Sequence, residues 1–391
     1  MKVNPRCPVK SASEPAAGGP WPPARKVGLG ALEASLRLAR LRARIEDVGA
    51  DGAIITTREN VAYLTGFGGS AGTLVLAPGL SYLLTDGRYE IRAKTQAKGV
   101  CVTVGKSLPD VVNEIPGRPV LVYEPDNLSS SRLRATKKGV QRATLAPEQG
   151  LVEELRAVKD DAEQALVRRA VLTADRAWET LQPEIVPGAT ERHLGARLEI
   201  LMREGGADDR AFDTIVASGP NSAIPHHETG DRIVQEGDLV TFDFGAVYRG
   251  YHSDCTRTVM LGEPTEKQRT VYETVHRALV EVTAMLKPGA SGHDADKKAR
   301  DIVKEAGYEK SFTHGLGHGV GRSVHERPGV GKGTTFEPGH IVTVEPGIYI
   351  EGWGGVRIED IVLITKDGHE VLTTAPRPSS PAPPGWKAEA D

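Results

Sequence analysis

Four acidic residues stand where acids seldom sit. Asp243 lies inside the apolar run Val240-Thr241-Phe242-Asp243-Phe244-Gly245, where an unpaired charge is costly to bury. Asp254 follows eleven positions later, beyond Tyr248-Arg249-Gly250-Tyr251, a turn able to return the chain as the second arm of a hairpin. A hairpin would bring the two carboxylates side by side, and their repulsion then requires a shared proton or a metal ion. The pattern recurs further on. Glu345 follows the run Ile341-Val342-Thr343-Val344, and Glu359 sits in Val356-Arg357-Ile358-Glu359-Asp360-Ile361-Val362, just before another apolar run. The glycine-rich segment His314-Gly315-Leu316-Gly317-His318-Gly319 supplies imidazoles. Any one of these acids alone fits a salt bridge as well as a ligand, but the four together with His318 form a metal constellation. Carboxylate oxygens with a single imidazole suit Mn²⁺, with Co²⁺ or Zn²⁺ tolerated by the imidazole. Four acids exceed what one ion commonly takes from a protein. Two ions about 3.5–4 Å apart, bridged by two of the carboxylates, would neutralise the acids and hold a water between them, which points to metal-assisted hydrolysis.

Three other signals fail on context. Gly68-Gly69-Ser70-Ala71-Gly72 has the GxSxG form of a nucleophile elbow, but a strand-like run follows it where a helix is needed. Gly331-Lys332 continues with Gly333, and position 326 is Glu, so no phosphate-binding loop results. His314 and His318 are four apart, as on a zincin helix, yet Gly315, Leu316 and Gly317 between them lack the catalytic Glu and are poor helix formers.

The elements that must position the acids fit a chain of 391 residues, long enough for two or three domains at about 150 residues each. Residues 1–28 and 376–391 are rich in Pro, Ala and Gly without periodicity and read as disordered ends. Residues 29–148 alternate helix and strand signals, as an α/β domain does. A long helical stretch over 151–181 opens the second domain, 149–375. Helices are expected over 191–204, 266–286 and 294–306, with strands at 239–245, 341–344, 347–350 and 361–365. Strands at both ends of a helical middle argue for α+β rather than a doubly wound sheet. No internal repeat is evident in the sequence.

Composition excludes several classes. With 39% hydrophobic and 26% charged residues the chain is globular. No run approaches the roughly 20 apolar residues of a membrane span. A net charge of -3 offers no field for phosphate backbones, so neither nucleic acid nor membrane is an expected partner. Cys7, Cys101 and Cys255 are odd in number and lack a CxxC pair, which argues against a disulfide framework or a thiolate zinc site. The first residues, interrupted by prolines, offer no apolar run of the kind an export signal requires, so none is expected there. The expected compartment is the cytoplasm, with Cys255 a small buried strand residue.

The motifs Phe242-Asp243-Phe244-Gly245, His252-Ser253-Asp254-Cys255-Thr256-Arg257-Thr258, His314-Gly315-Leu316-Gly317-His318-Gly319, Val344-Glu345-Pro346-Gly347 and Arg357-Ile358-Glu359-Asp360 resemble, in order and spacing, those of the pita-bread metallopeptidases. The nearest likeness is to Xaa-Pro aminopeptidase (aminopeptidase P) and prolidase. Glu59-Asn60-Val61-Ala62-Tyr63-Leu64-Thr65-Gly66-Phe67 resembles the creatinase-like domain that precedes the catalytic domain in those enzymes and is lacking in methionine aminopeptidase.

The resemblance covers about residues 30–375. It implies a creatinase-like α/β domain followed by a pita-bread catalytic domain. It also implies two divalent ions held by Asp243, Asp254, His318, Glu345 and Glu359, with Asp254 and Glu359 bridging. It places His226 beside the substrate and His325 on the scissile peptide, with His227 the weaker of the pair 226/227. His314, Tyr349 and Arg357 fall near the proline pocket or the ligand shell. The implied reaction is hydrolysis between an N-terminal residue and a following proline. Glu345 would accept a proton from the attacking water, while His226 and His325 stabilise the oxyanion. The first reading is an Xaa-Pro aminopeptidase acting on peptides with proline second, and the alternative is a prolidase acting on Xaa-Pro dipeptides. A metal-free amidinohydrolase or a non-catalytic peptide-binding module fits less well with five intact ligand positions. A homodimer or larger homo-oligomer is the family's expectation.

Overall fold

A computed structural model describes residues 30–377, and the readings of residues 1–28 and of most of 376–391 as disordered fall outside it. The described residues form two compact units, divided between Leu155 and Arg156. This is later than the expected boundary at 148/149, because Leu151 and Val152 are buried in the apolar cluster of the N-terminal unit.

In that unit the run Gly52-Ala53-Ile54-Ile55 is apolar without alternation, the mark of a strand covered on both faces. Ala53 and Ile55 belong to one core cluster and Ile54 to another. Its strands are β1 (Gly52–Ile55), β2 (Thr73–Ala77), β3 (Leu80–Thr85), β4 (Cys101–Val104), β5 (Val120–Tyr123) and β6 (Thr144–Pro147). They form one sheet in the order β4-β3-β2-β1-β5-β6. Pairing is parallel for β3–β4, β1–β5 and β5–β6, and antiparallel for β1–β2 and β2–β3. Leu38, Leu41 and Ile45 of the helix Ala31–Asp47 recur at three- and four-residue spacing and are buried in the first cluster. The nominal GxSxG precedes β2, and its Ser70 hydroxyl bonds the Tyr89 hydroxyl at 2.7 Å.

The expected helix over 151–181 is broken into Glu153–Ala157 and Asp161–Leu181. At the break the chain leaves the helix to pair with residues ahead of a strand: Val158 bridges His340, and the Lys159 amide donates to the Gly339 carbonyl at 2.9 Å. Asp160 then restarts the helix as its N-cap, in a capping box with Glu163.

The C-terminal unit, residues 156–377, is built of short antiparallel strands: β7 (Asp209–Arg210), β8 (Ile215–Ser218), β9 (Leu239–Phe244), β10 (Ala246–Tyr248), β11 (Tyr251–His252) and β12 (Cys255–Met260). A second set comprises β13 (Gly317–Gly319), β14 (Glu326–Val330), β15 (Ile341–Val344), β16 (Gly347–Ile350), β17 (Gly354–Arg357), β18 (Asp360–Ile364) and β19 (His369–Val371). They pair as β12-β9-β8, β11-β10-β7, β14-β13-β15-β18-β19 and β16-β17. The expected turn is the β10–β11 hairpin, with Tyr248 opposite Tyr251 and Arg249 at φ 51°. Helices Asp161–Leu181 and Glu191–Glu204 share one apolar cluster with β8, β9 and β12. Helices Glu266–Thr283 and Gly292–Glu305 share a second with β15, β17 and β18.

The arrangement contains a repeat that the sequence did not disclose. Strand β9 ends one residue after Asp243, the β10–β11 hairpin intervenes, and Asp254 leads into β12. Strand β15 ends beside Glu345, the β16–β17 hairpin intervenes, and Glu359 leads into β18. In both, an antiparallel pair separated by a hairpin excursion delivers two acids to one end.

Register does the fine placement. Thr256 lies opposite Asp243 on β9, and side chains two apart share a face, so Asp254 is the diagonal neighbour of Asp243. Trp178, fully buried, holds β9 from behind, its ring 5.2 Å from Phe242 and 5.6 Å from Phe244, the residues flanking Asp243. Truncating a buried Trp costs about 3–5 kcal/mol. Trp178→Ala should therefore lower the urea stability of the C-terminal unit by that amount, and a loss under about 1 kcal/mol would show that β9 does not depend on this packing.

Candidate metal centre and substrate cavity

The five predicted ligands converge. Asp254, His318 and Glu359 each offer an atom within 4.8 Å of the others. His318 Nε2 is 3.5 Å from Asp254 Oδ2 and 3.4 Å from Glu345 Oε1. Asp243 stands beside them, and all five line one cavity of about 820 Å³ together with His226, His314, His325 and Arg357. Tyr349 is buried behind the wall. Its hydroxyl is 2.8 Å from His314 Nε2 and 2.7 Å from Arg357 Nη1.

Strand geometry explains the convergence. His318 occupies the middle of β13, and its amide donates to Thr343 Oγ1 at 3.0 Å; that hydroxyl donates on to Glu345 Oε1 at 3.2 Å. Thr256 does the same across the other pair. Its hydroxyl donates to Glu359 Oε2 at 2.7 Å and accepts from Arg357 Nε at 3.0 Å. Arg357 completes its fork with Asp243 Oδ2 at 2.7 Å, so the cation expected opposite Asp243 is Arg357. Thr256 and Thr343 were missed in the sequence. The usable signal was position: each lies two residues from a ligand-type acid, on the same face of the strand.

One guanidinium cannot neutralise four acids. Burial, followed by repulsion from Glu359, Asp243 and Glu345, drives the Asp254 carboxyl well above the ordinary range. Burial, then Glu345 and Asp243, does the same to Glu359. Burial pushes the Glu345 carboxyl up to about 8. Desolvation lowers His318 to about 4 and leaves a neutral imidazole, the form that ligates metal. Among the described residues, Asp243 Oδ1 and Glu359 Oε1 are buried with no hydrogen-bond partner. Orphaned carboxylate oxygens around a neutral imidazole fit a divalent cation, which would satisfy both at once.

The remaining histidines divide by surroundings. His314 is also lowered to about 4, chiefly by burial, and its Nδ1 lies 2.8 Å from the Gly315 carbonyl. A carbonyl only accepts, so the proton is on Nδ1, and Tyr349 donates its hydroxyl hydrogen to Nε2. The exposed His325 packs edge-on against His318, with ring centroids 4.1 Å apart. The next residue, Glu326, is buried against Arg156 at 2.5 Å and Lys159 at 2.8 Å. His226 is exposed at the cavity. His227 bonds the buried Glu191 at 2.9 Å, in keeping with its lesser weight in the sequence. Cys255 is buried as the first residue of β12.

Residues 165–366 match the model of metallopeptidase family M24, and residues 37–158 match the creatinase/prolidase N-terminal domain. The Xaa-Pro dipeptidase of Pyrococcus horikoshii is 37% identical over 329 residues, covering 84% of this chain and 93% of its own. A solved Xaa-Pro dipeptidase from Bacillus anthracis superposes with a TM-score of 0.84 at 39% identity, covering 88% of this chain and 98% of its own. The solved X-Pro aminopeptidase of Thermotoga maritima gives 0.80 at 35% identity, covering 87% and 98%. With a family model spanning half the chain, relatives aligned over nearly their full lengths, and carboxylates and an imidazole gathered where those motifs fall, this chain belongs to metallopeptidase family M24, with a creatinase/prolidase N-terminal domain ahead of its pita-bread catalytic domain.

Proposed function

We propose that this chain hydrolyses the bond between an N-terminal residue and a following proline, with Xaa-Pro dipeptides as its preferred substrates. The observation that carries the reading is the gathering of four acids and His318 in one cavity with His226, His314, His325 and Arg357, in a chain similar over nearly full length to Xaa-Pro dipeptidases. The relatives' names reverse the order of the sequence reading, which set longer peptides first. Likeness to the X-Pro aminopeptidase of Thermotoga maritima supports longer peptides as the second reading. The four acids and His318 that fill all five ligand positions speak against an amidinohydrolase or a non-catalytic module.

In this reading Asp243, Asp254, His318, Glu345 and Glu359 would hold two divalent ions, with Mn²⁺ favoured by the oxygen-rich donor set. When bound, the ions lower the pKa of a water and polarise the scissile carbonyl. Glu345 would take the proton. His226 and His325, at the cavity, stabilise the oxyanion and steady the peptide. Proline brings no N–H for alignment, so shape and the wall of His314, Tyr349 and Arg357 must supply it. The Tyr349 hydroxyl accepts from Arg357 and donates to His314, which fixes that wall in one proton arrangement. The cytoplasm as compartment and a homodimer or larger homo-oligomer as assembly rest on composition and family resemblance. Among the described residues, no helix is long and apolar enough to cross a membrane.

Mass-spectrometric product analysis of Mn²⁺-reconstituted protein should show Ala-Pro cleaved faster than Ala-Pro-Ala or longer Xaa-Pro peptides, and a proline-free peptide left intact. Faster cleavage of the longer peptides would restore the aminopeptidase reading. Glu345→Gln should bind metal and stay folded while turnover falls by at least about 100-fold; retained turnover with metal bound would remove Glu345 as the base.

Metal removal should leave a pH signature. The raised carboxyls mean that folded, metal-free protein holds protons the unfolded chain has already lost, so the stability they contribute falls as pH rises from the ordinary carboxylate range through about 8. Above about pH 6.5, where the depressed histidines His314, His318 and His340 are neutral in both folded and unfolded chain, urea midpoints of chelated protein should drop toward about pH 8, and Mn²⁺ should remove the drop. A flat profile would show that these acids do not share protons.

A further inference from the structure

Glu191 is fully buried, yet it is the first residue of the helix Glu191–Glu204 and does not line the cavity. Its two oxygens instead gather donors from one irregular segment. Oε1 accepts from the Ser218 amide at 2.8 Å, the Ser218 hydroxyl at 2.7 Å and Asn221 Nδ2 at 2.9 Å. Oε2 accepts from His227 Nε2 at 2.9 Å and the Gly230 amide at 3.3 Å. Five donors saturate the carboxylate. Although burial opposes ionisation, the bonds from Asn221, His227 and Ser218 prevail and hold this carboxyl below the ordinary range, opposite to the acids of the metal centre. Because a carboxylate only accepts, His227 must carry its proton on Nε2, and its ring is committed to this bond.

The segment that Glu191 gathers runs from the end of β8 to Gly230, with only a single 3-10 turn, Gly219–Ala223, between. That segment carries His226, whose ring lines the cavity, and Pro225, whose carbonyl accepts from Arg357 Nη1 at 3.3 Å. Donors at 218, 221, 227 and 230 bracket position 226 on both sides. We infer that Glu191 is the positioning residue of His226, clamping residues 218–230 so that the first histidine of the pair faces substrate while the second is used as the clamp's own donor. The inference rests on the proposed role of His226 at the scissile peptide. Glu191 does not line the cavity and acts only through the loop.

A double-mutant cycle with local hydrogen exchange tests it. Glu191→Gln keeps the shape but turns an acceptor into a donor facing the Gly230 amide. In metal-loaded protein it should lower kcat for Ala-Pro by about 10- to 100-fold, the scale of a displaced reacting group, with metal content and KM little changed. In a His226→Ala background the same change should lower kcat by less than about twofold, since the two act as one unit. Amide exchange across 218–230 should rise in Glu191→Gln while the rest of the catalytic unit stays protected. Should Glu191→Gln fail to fold, His227→Ala removes one donor and should give the same pattern at smaller amplitude. Multiplicative losses in the cycle, or unchanged exchange across 218–230, would overturn the positioning role. If the unaltered protein cleaves no Xaa-Pro peptide, the proposed function falls, and the exchange measurement still decides whether Glu191 holds the loop.

Discussion

Repulsion among four carboxylates, two buried and two half-buried, is the constraint on which the catalytic unit turns. At van der Waals separation and an effective dielectric near 20, two like charges repel by about 4 kcal/mol, and one guanidinium, that of Arg357, faces the group. No packing choice removes such a term. The structure displays burial and this repulsion together in the raised carboxyls of Asp254, Glu345 and Glu359, and in carboxylate oxygens left without partners. A scaffold that holds acids in this state must be rigid enough to refuse their separation. Trp178 behind β9 and the threonines that tie strand to strand provide that rigidity.

Electrostatics also sorts the polar residues into two kinds. Around the metal centre, desolvation prevails over hydrogen bonding, and the groups are poised to exchange protons for cations. At Glu191, and at Glu326 between Arg156 and Lys159, partners prevail over desolvation and the charge is permanent. Both permanent charges support loops that carry a cavity histidine: Glu191 holds the residue after His226, and Glu326 is itself the residue after His325. Adaptable charge thus sits at the centre of the site and fixed charge at its supports.

Much of this was legible in the sequence, for definable reasons. Helix Glu191–Glu204 and strands β15 and β16 lie where periodicity put them, because caps and apolar runs bound them clearly. The acids could be read because a charge inside an apolar strand violates a local rule and needs a reason. Glu191 could not, since an acid in the first turn of a helix is what the helix dipole favours and violates nothing. The break in the helix over 151–181 was hidden because its cause, pairing of Val158 and Lys159 with residues near 340, is distant in sequence. The strand–hairpin–strand repeat was hidden because its two copies use different acids, Asp then Glu, at spacings of eleven and fourteen residues.

That repeat also orders events during synthesis. A nascent chain made only as far as residue 340 contains Asp243, Asp254 and His318 but neither Glu345 nor Glu359, and β15, which pairs with the strand carrying His318, does not yet exist. The acid group is therefore completed only when the second strand pair joins the first, about a hundred residues after the first acid is added. A chain that ends before Glu345 therefore holds only three of the five ligand positions.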